Sequence, residues 1–315
     1  MNTKQHTIKE PVSLSGIGLH TGAKVNLTFK PAPVNHGIIF KRVDLEGGPE
    51  IPALAEYVVD VSRGTTIELG PAKISTIEHS LAALVGLEID NILIEVDGIE
   101  IPIMDGSSSP FLEALEKAGT EEQNALRDFL VIEESVTYDD PENLVDITIL
   151  PYDGYRATVM VDYNSPVLGS QHANLNHVSE FKNYIAPCRT FCFLHELQQL
   201  HAQGLVRGGD LNNAIVVVDK EVTSEELDEL AKLFNKPKVE VKGEGILNTV
   251  DLRFKNEPAR HKLLDLMGDL ALIGKPIKGH ILAARPAHKS NTELAKLVRK
   301  QYKNKKNDIL SLIHI

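Results

Sequence analysis

The sequence predicts an α+β protein built from two similar halves. Three observations carry this: short runs that alternate apolar and polar residues with period two, two apolar-periodic helices that each feed a strand, and an amphipathic helix closing each half. In chain order, Lys24 to Phe29 alternates as a one-face-buried strand should, between Gly22 and Pro31. Arg156 to Asp162 alternates in the same way between Gly154 and Pro166, and is taken as its counterpart. From Ile74 to Leu87, residues Ile77, Leu81, Leu84 and Val85 share one helical face, and the segment leads through Asp90 and Asn91 into a strand at Ile92–Val96. From Arg260 to Ile273, Leu263, Leu266, Met267 and Leu270 repeat that pattern, Gly274 and Pro276 end it, and Gly279–Ala283 resumes as strand. The closing helices are predicted over Ser107–Ala118 and Ser290–Tyr302, each with a serine cap.

At roughly 100–200 residues per domain, 315 residues favour two domains, divided here as 1–126 and 127–302. The net charge of −11 argues against a nucleic-acid partner, since an acidic surface repels phosphate backbones. No run approaches the ~18–20 apolar residues of a membrane span, so stable membrane insertion is not expected. Residues 1–6 lead into no apolar segment of the signal-peptide kind. Two cysteines, Cys188 and Cys192, make no disulfide framework and suit a reducing cytoplasm. The acidic stretch Glu221–Glu229 reads as the solvated face of a helix.

Two polar clusters interrupt otherwise apolar helices. Glu78 and His79 lie in the first. His261, Asp265 and Asp269 lie in the second at i, i+4 and i+8, on one stripe. A His-x-x-x-Asp pair can chelate a divalent ion, and His79 can supply a third ligand. Three N,N,O ligands with a fourth position open is the pattern of catalytic zinc, whereas structural zinc is usually closed and cysteine-rich. Glu78, projecting ~100° from His79, sits where a general base belongs. His288, after a strand and before a helix, can act as proton donor. The glycine-rich Ser15–Gly22 is followed by a strand, so it reads as a hairpin and not a phosphate loop.

These residues carry a resemblance. Ser15–Gly22, Ser75–Leu84, Ile89–Asn91, Met104–Pro110, Cys188–Phe191, Arg207–Gly209, Arg260–Asp269 and His288 resemble, in order, the motifs of the UDP-3-O-acyl-N-acetylglucosamine deacetylase family, zinc amidases of lipid A biosynthesis in Gram-negative bacteria. The resemblance implies two duplicated β-α-α-β sandwich domains with the active site between them. It implies zinc held by His79, His261 and Asp265, with Glu78 as base and His288 as second acid/base group oriented by Asp269. Thr190 would help hold the oxyanion, Lys262 would meet the substrate phosphates and Phe191 would pack on the sugar. An insert near 190–208, carrying Phe193, Leu194, Leu197 and Leu200, would enclose the acyl chain of a UDP-linked acyl-glucosamine. The last motif, Ala287-His-Lys-Ser-Asn, departs from the Gly-His many members carry, which leaves the local loop shape open. A different acetylated amino sugar, or a non-enzymatic RNA- or protein-binding module, are the competing readings; the charge and the polar helix stripes disfavour the module.

After Tyr302 the run Lys303–Asp308 reads as a charged linker. Some family members continue into a 3-hydroxyacyl-carrier-protein dehydratase domain, so a fused dehydratase is expected beyond it. Leu310–Ile315 matches the translation of a common transposon adapter and is expected to be an artefact.

Overall fold

The computed structural model describes residues 3–202, 206–211, 213–243 and 245–313. Of the expected 190–208 insert, 203–205 lie outside the described residues, as do 314 and 315 of the tail. The first half contains β1 (Lys4–Ile8), β2 (Val12–Ile17), β3 (Lys24–Pro31), β4 (Ile38–Arg42), β5 (Glu50–Pro52), β6 (Val58–Asp60), β7 (Thr66–Leu69), β8 (Ala72–Ile74), α1 (Glu78–Gly86), β9 (Ile92–Val96), α2 (Ser109–Ala118) and β10 (Thr120–Leu126). The second contains β11 (Leu130–Val131), β12 (Val136–Asp140), β13 (Val145–Leu150), β14 (Tyr155–Asp162), β15 (Ser170–Leu175), α3 (Phe181–Tyr184), β16 (Phe191–Phe193), α4 (Leu194–Ala202), β17 (Ile215–Val217), α5 (Ser224–Leu233), α6 (Glu257–Leu270), β18 (Ile277–Ala284) and α7 (His288–Ile313).

The two main sheets share one topology. Their orders are β2-β3-β9-β4-β5 and β12-β13-β18-β14-β15, with β11 added beside β18. In each, the middle strand is antiparallel to the strand before it in that order and parallel to the one after it. This order corrects the expected strand correspondence. Lys24–Pro31 matches β13, while Arg156–Asp162 lies in β14 and matches β4. Both runs alternate equally well, and period two reports a buried face without reporting which neighbour a strand takes. The inward sides of β3 and β14 are Val25, Leu27 and Phe29, and Tyr155, Ala157, Val159 and Val161. Burying each large side chain contributes about 1.5–3 kcal/mol.

Helix limits also shift. α1 starts at Glu78, four residues later than expected, because Ala72–Ile74 pairs as a strand and Thr76 takes a left-handed φ of 61°. α6 starts at Glu257, one turn early, with Pro258 in its first turn, where a missing N–H costs nothing. α2 starts at Ser109, two residues later than expected; the Ser107 hydroxyl donates to Asp105 and accepts from the Ser109 N–H at 3.2 Å, so it still serves the helix start. His288 is the first residue of α7, so the expected cap at Ser290 falls inside the helix. α7 also continues to Ile313, and the expected linker at 303 is helical; neither Gly nor Pro occurs after Pro286 to stop it. The glycine-rich loop is a hairpin joining β2 to β3, as expected.

α2 lies on β2, α6 on β14 and β15, α7 on β12 and β13, and α1 crosses α6. That crossing brings the two polar clusters together, and it depends on Gly268. A Cβ there would sit 2.0 Å from the carbonyl oxygen of Glu78, so any larger residue forces the helices apart. Ser108 secures the same turn of α1 from the other side, its hydroxyl donating to the His79 carbonyl at 2.7 Å.

Gly→Ala inside a helix normally stabilises by about 0.5–1 kcal/mol. For Gly268→Ala we expect the opposite sign, a loss of about 1–3 kcal/mol in urea denaturation, because overpacking outweighs propensity. Gly243→Ala, with open space around its Cβ, is the near-neutral control. A stabilised Gly268→Ala would contradict the close crossing.

Candidate active site

His79 projects from the first turn of α1 and His261 and Asp265 from α6, all three buried. Their ligand atoms lie within 4.8 Å of one another. His261 Nε2 is 3.2 Å and His79 Nε2 3.7 Å from Asp265 Oδ1, close to the ~3.3 Å edge of a tetrahedron with ~2.0–2.1 Å metal bonds. Asp265 Oδ1 is buried without a hydrogen-bond partner, a cost a cation would offset. His261 Nδ1 lies 3.0 Å from the Cys188 carbonyl, which can only accept, so Nδ1 carries the proton and Nε2 turns its lone pair to the triad. Burial pushes the imidazolium of His261 down to about 3, so it is neutral, as a ligand must be. Burial also pushes Cys192 up to about 12 and raises Cys188, so neither offers a thiolate. The donor set therefore fits a divalent ion.

Glu78 is buried next to His79. Its Oε2 accepts from the Thr65 N–H at 2.9 Å, and a Cβ on Gly64 would stand 2.8 Å from Oε1, so this backbone is free to close on the carboxylate. Burial, then the charges of Asp269 and Asp265, raise its pKa against the opposing pull of His288 and His79. Such a carboxylate holds a proton more readily than an exposed one, which suits a base.

His288 Nδ1 donates to Asp269 Oδ2 at 2.9 Å, and its Nε2 stands 3.9 Å from Asp265 Oδ2. Asp269 is wholly buried and also accepts from the Thr65 hydroxyl at 2.5 Å and the Asn291 amide at 2.9 Å. Burial acts against the imidazolium, but Asp269 and then Asp265 outweigh it and raise His288 to about 9. The ring is thus charged and aimed by one carboxylate.

The remaining expected residues lie around this centre. Lys262 donates to Asp265 Oδ2 at 2.8 Å and sits 5.7 Å from the centre of the Phe191 ring. Phe191 lies edge-on to His261 and Tyr163. Thr190, Phe191, Leu197 and Leu200 line a cavity of about 120 Å³ together with His20 and Arg63. Leu194 packs with Leu211, Val216 and Leu230, and Phe193 with Ile215, Val217 and Ile246, so these two serve small cores beside the cavity. Among the described residues no hydrogen bond joins the Thr190 hydroxyl to the triad; its backbone N–H is held by the Gly106 carbonyl at 2.8 Å. Sequence reasoning missed Gly64 and the Cys188 carbonyl, which act through backbone geometry, and Thr65, which acts through its N–H on Glu78 and its hydroxyl on Asp269. Asn291 enters the sequence reading only as the last residue of the Ala287–Asn291 motif.

A buried N,N,O triad beside a buried carboxyl and a carboxylate-held histidine is a donor set able to hold a divalent ion with an acid–base pair at its side. The chain belongs to the UDP-3-O-acyl N-acetylglycosamine deacetylase family, whose model matches residues 5–239 and 231–300. It is 54% identical over 299 residues to the bifunctional enzyme LpxC/FabZ of Chlorobaculum tepidum, covering 94% of this chain and 64% of that protein. It is 42% identical over 295 residues to the UDP-3-O-acyl-N-acetylglucosamine deacetylase of Myxococcus xanthus, covering 93% and 86%, and 38% identical to that of Teredinibacter turnerae. The chain spans 64–65% of the length of three bifunctional relatives, those of Chlorobaculum tepidum, Bacteroides thetaiotaomicron and Porphyromonas gingivalis.

Purified protein reconstituted with a divalent ion should hold about one per chain by elemental analysis. His261→Ala should retain less than about a tenth of that, while Asp269→Asn, which alters the histidine's partner and not a ligand, should hold the full amount. Normal loading of His261→Ala would refute the triad.

Proposed function

We propose that the protein removes the N-acetyl group of UDP-3-O-[(3R)-3-hydroxyacyl]-N-acetylglucosamine, giving the free amine and acetate, with Zn²⁺ as the ion at His79, His261 and Asp265. The observation that carries this reading is the convergence of a neutral His261, the orphaned Asp265 oxygen and Glu78 on one buried spot. Zinc in that position would polarise the acetamide carbonyl and acidify water. Glu78, raised by burial, takes the proton from the attacking water. His288, cationic through Asp269, faces the developing negative charge and gives its proton to the departing amine. Asp269, held by Thr65 and Asn291, fixes which nitrogen of His288 is free to do so. The Thr190 hydroxyl adds a second donor to the oxyanion.

The cavity by Phe191, Leu197 and Leu200 receives the start of the acyl chain, and Lys262, partly exposed, turns its charge towards the phosphates. We divide the chain into halves 1–126 and 127–302, the shared sheet topology supporting the division. The bifunctional relatives support a dehydratase domain fused to this deacetylase. Among the described residues no helix is long and apolar enough to cross a membrane.

Acetate release from the UDP-acyl substrate tests the proposal. Glu78→Gln should lower kcat by about 10²–10⁴ while keeping its zinc. No acetate from the zinc-loaded wild type, or equal turnover of free N-acetylglucosamine, would overturn it.

A further inference from the structure

The segment Ala186–Thr190 runs between the two halves, and its fastening is unusually complete. On the first-half side, the Ser108 N–H donates to the Ala186 carbonyl at 3.0 Å and the Thr190 N–H to the Gly106 carbonyl at 2.8 Å. Gly106 itself can carry no side chain, since a Cβ would meet the Asn213 carbonyl oxygen at 1.9 Å. On the other side stands an ion pair with no part in the chemistry above. The Arg189 guanidinium grips Glu257, Nε to Oε1 at 3.0 Å and Nη2 to Oε2 at 3.2 Å, and the Arg189 backbone N–H adds a third bond to Oε1 at 3.0 Å. The Arg253 N–H completes the set on Oε2 at 2.6 Å, and Arg189 Nη2 also reaches the Asp251 carbonyl. Glu257 is wholly buried and Arg189 is 6% exposed. Two charges so far from water are costly, and removing one partner leaves the other uncompensated.

The segment this pair holds carries the Cys188 carbonyl that fixes His261. Glu257 is the first residue of α6, and His261 lies one turn on. The carboxylate therefore ties the start of α6 to the Ala186–Thr190 segment, and the Cys188 carbonyl beside Arg189 faces His261 Nδ1 at 3.0 Å. We propose that Arg189 and Glu257 are positioning residues for the metal centre: the pair acts through the Cys188 carbonyl, holding the tautomer and ring orientation of His261, and does not touch substrate or metal. The inference rests on His261 being a metal ligand. A partner outside the ligand set that orients a ligating imidazole is typically worth 10–100-fold in metal affinity.

The test uses the full chain loaded with zinc and follows zinc release to a chelating dye, together with kcat and KM, at a temperature where circular dichroism shows each variant folded. Glu257→Gln should release zinc at least about tenfold faster and lose at least about tenfold in kcat with KM within about twofold. Arg189→Lys, which keeps the charge but not the fork, should fall between it and wild type. If Glu257→Gln does not fold, Arg189→Met with Glu257→Met together removes both charges without leaving an orphan and should still show the fast release. Glu56→Gln, which removes a carboxylate paired with Arg299 and Lys303 on the other helix of that half, should leave zinc release unchanged and controls for a general loss of stability. Zinc release within twofold of wild type from a folded Glu257→Gln or from the double variant would overturn the inference. Wild-type protein that takes up no zinc would instead overturn the reading of the metal site.

Discussion

The structure turns on the approach of α1 to α6 at Gly268. Each helix carries part of a polar cluster that would be costly to bury alone, and only at backbone contact do the two clusters meet. His79 and Glu78 come from one helix, and His261, Asp265 and Asp269 from the other. The energetic burden of five ionisable groups in an apolar setting is met by mutual pairing and by Thr65 and Asn291, and an ion at the orphaned Asp265 oxygen would offset the rest. Stability and function are coupled here, because what separates the helices also takes the ligands apart.

The α6 stripe shows how one helix face serves two tasks. Successive steps of four residues drift by about 40°, so His261 and Asp265 point together while Asp269 has rotated further. Asp269 therefore misses the triad and meets His288 from the start of α7. The two carboxylates take different work from this offset. Asp265 keeps one oxygen unpartnered for a cation, and Asp269 has both oxygens engaged and keeps His288 charged.

Much of the site was legible in the sequence because polar residues inside apolar helices are rare and costly, and the spacing of His261, Asp265 and Asp269 fixes their common side. The repeated helix-to-strand order was legible for the same reason. The strand correspondence was not: period two marks a buried face and is blind to pairing, so Arg156–Asp162 was matched one strand out of step. Gly64 escaped because it acts through a missing Cβ, and Thr65 because it acts through a backbone N–H and a hydroxyl whose partner, Asp269, lies 204 residues away in the sequence. The helix starts moved where local geometry overrode periodicity, at left-handed Thr76 and at Pro258. Phe193 and Leu194 were expected to enclose an acyl chain because the resemblance places them in that insert, but apolar residues there do not by themselves distinguish a ligand-facing side from one packed on Val216 or Ile215.

The central claim is that two imidazoles and one carboxylate, with no sulfur, hold the catalytic ion. Zinc-edge X-ray absorption on the zinc-loaded protein tests it most directly. The account predicts a first shell of nitrogen and oxygen alone at about 2.0–2.1 Å, with the outer-shell scattering of two imidazoles. A sulfur scatterer at about 2.3 Å, which would place Cys188 or Cys192 on the metal, would contradict it.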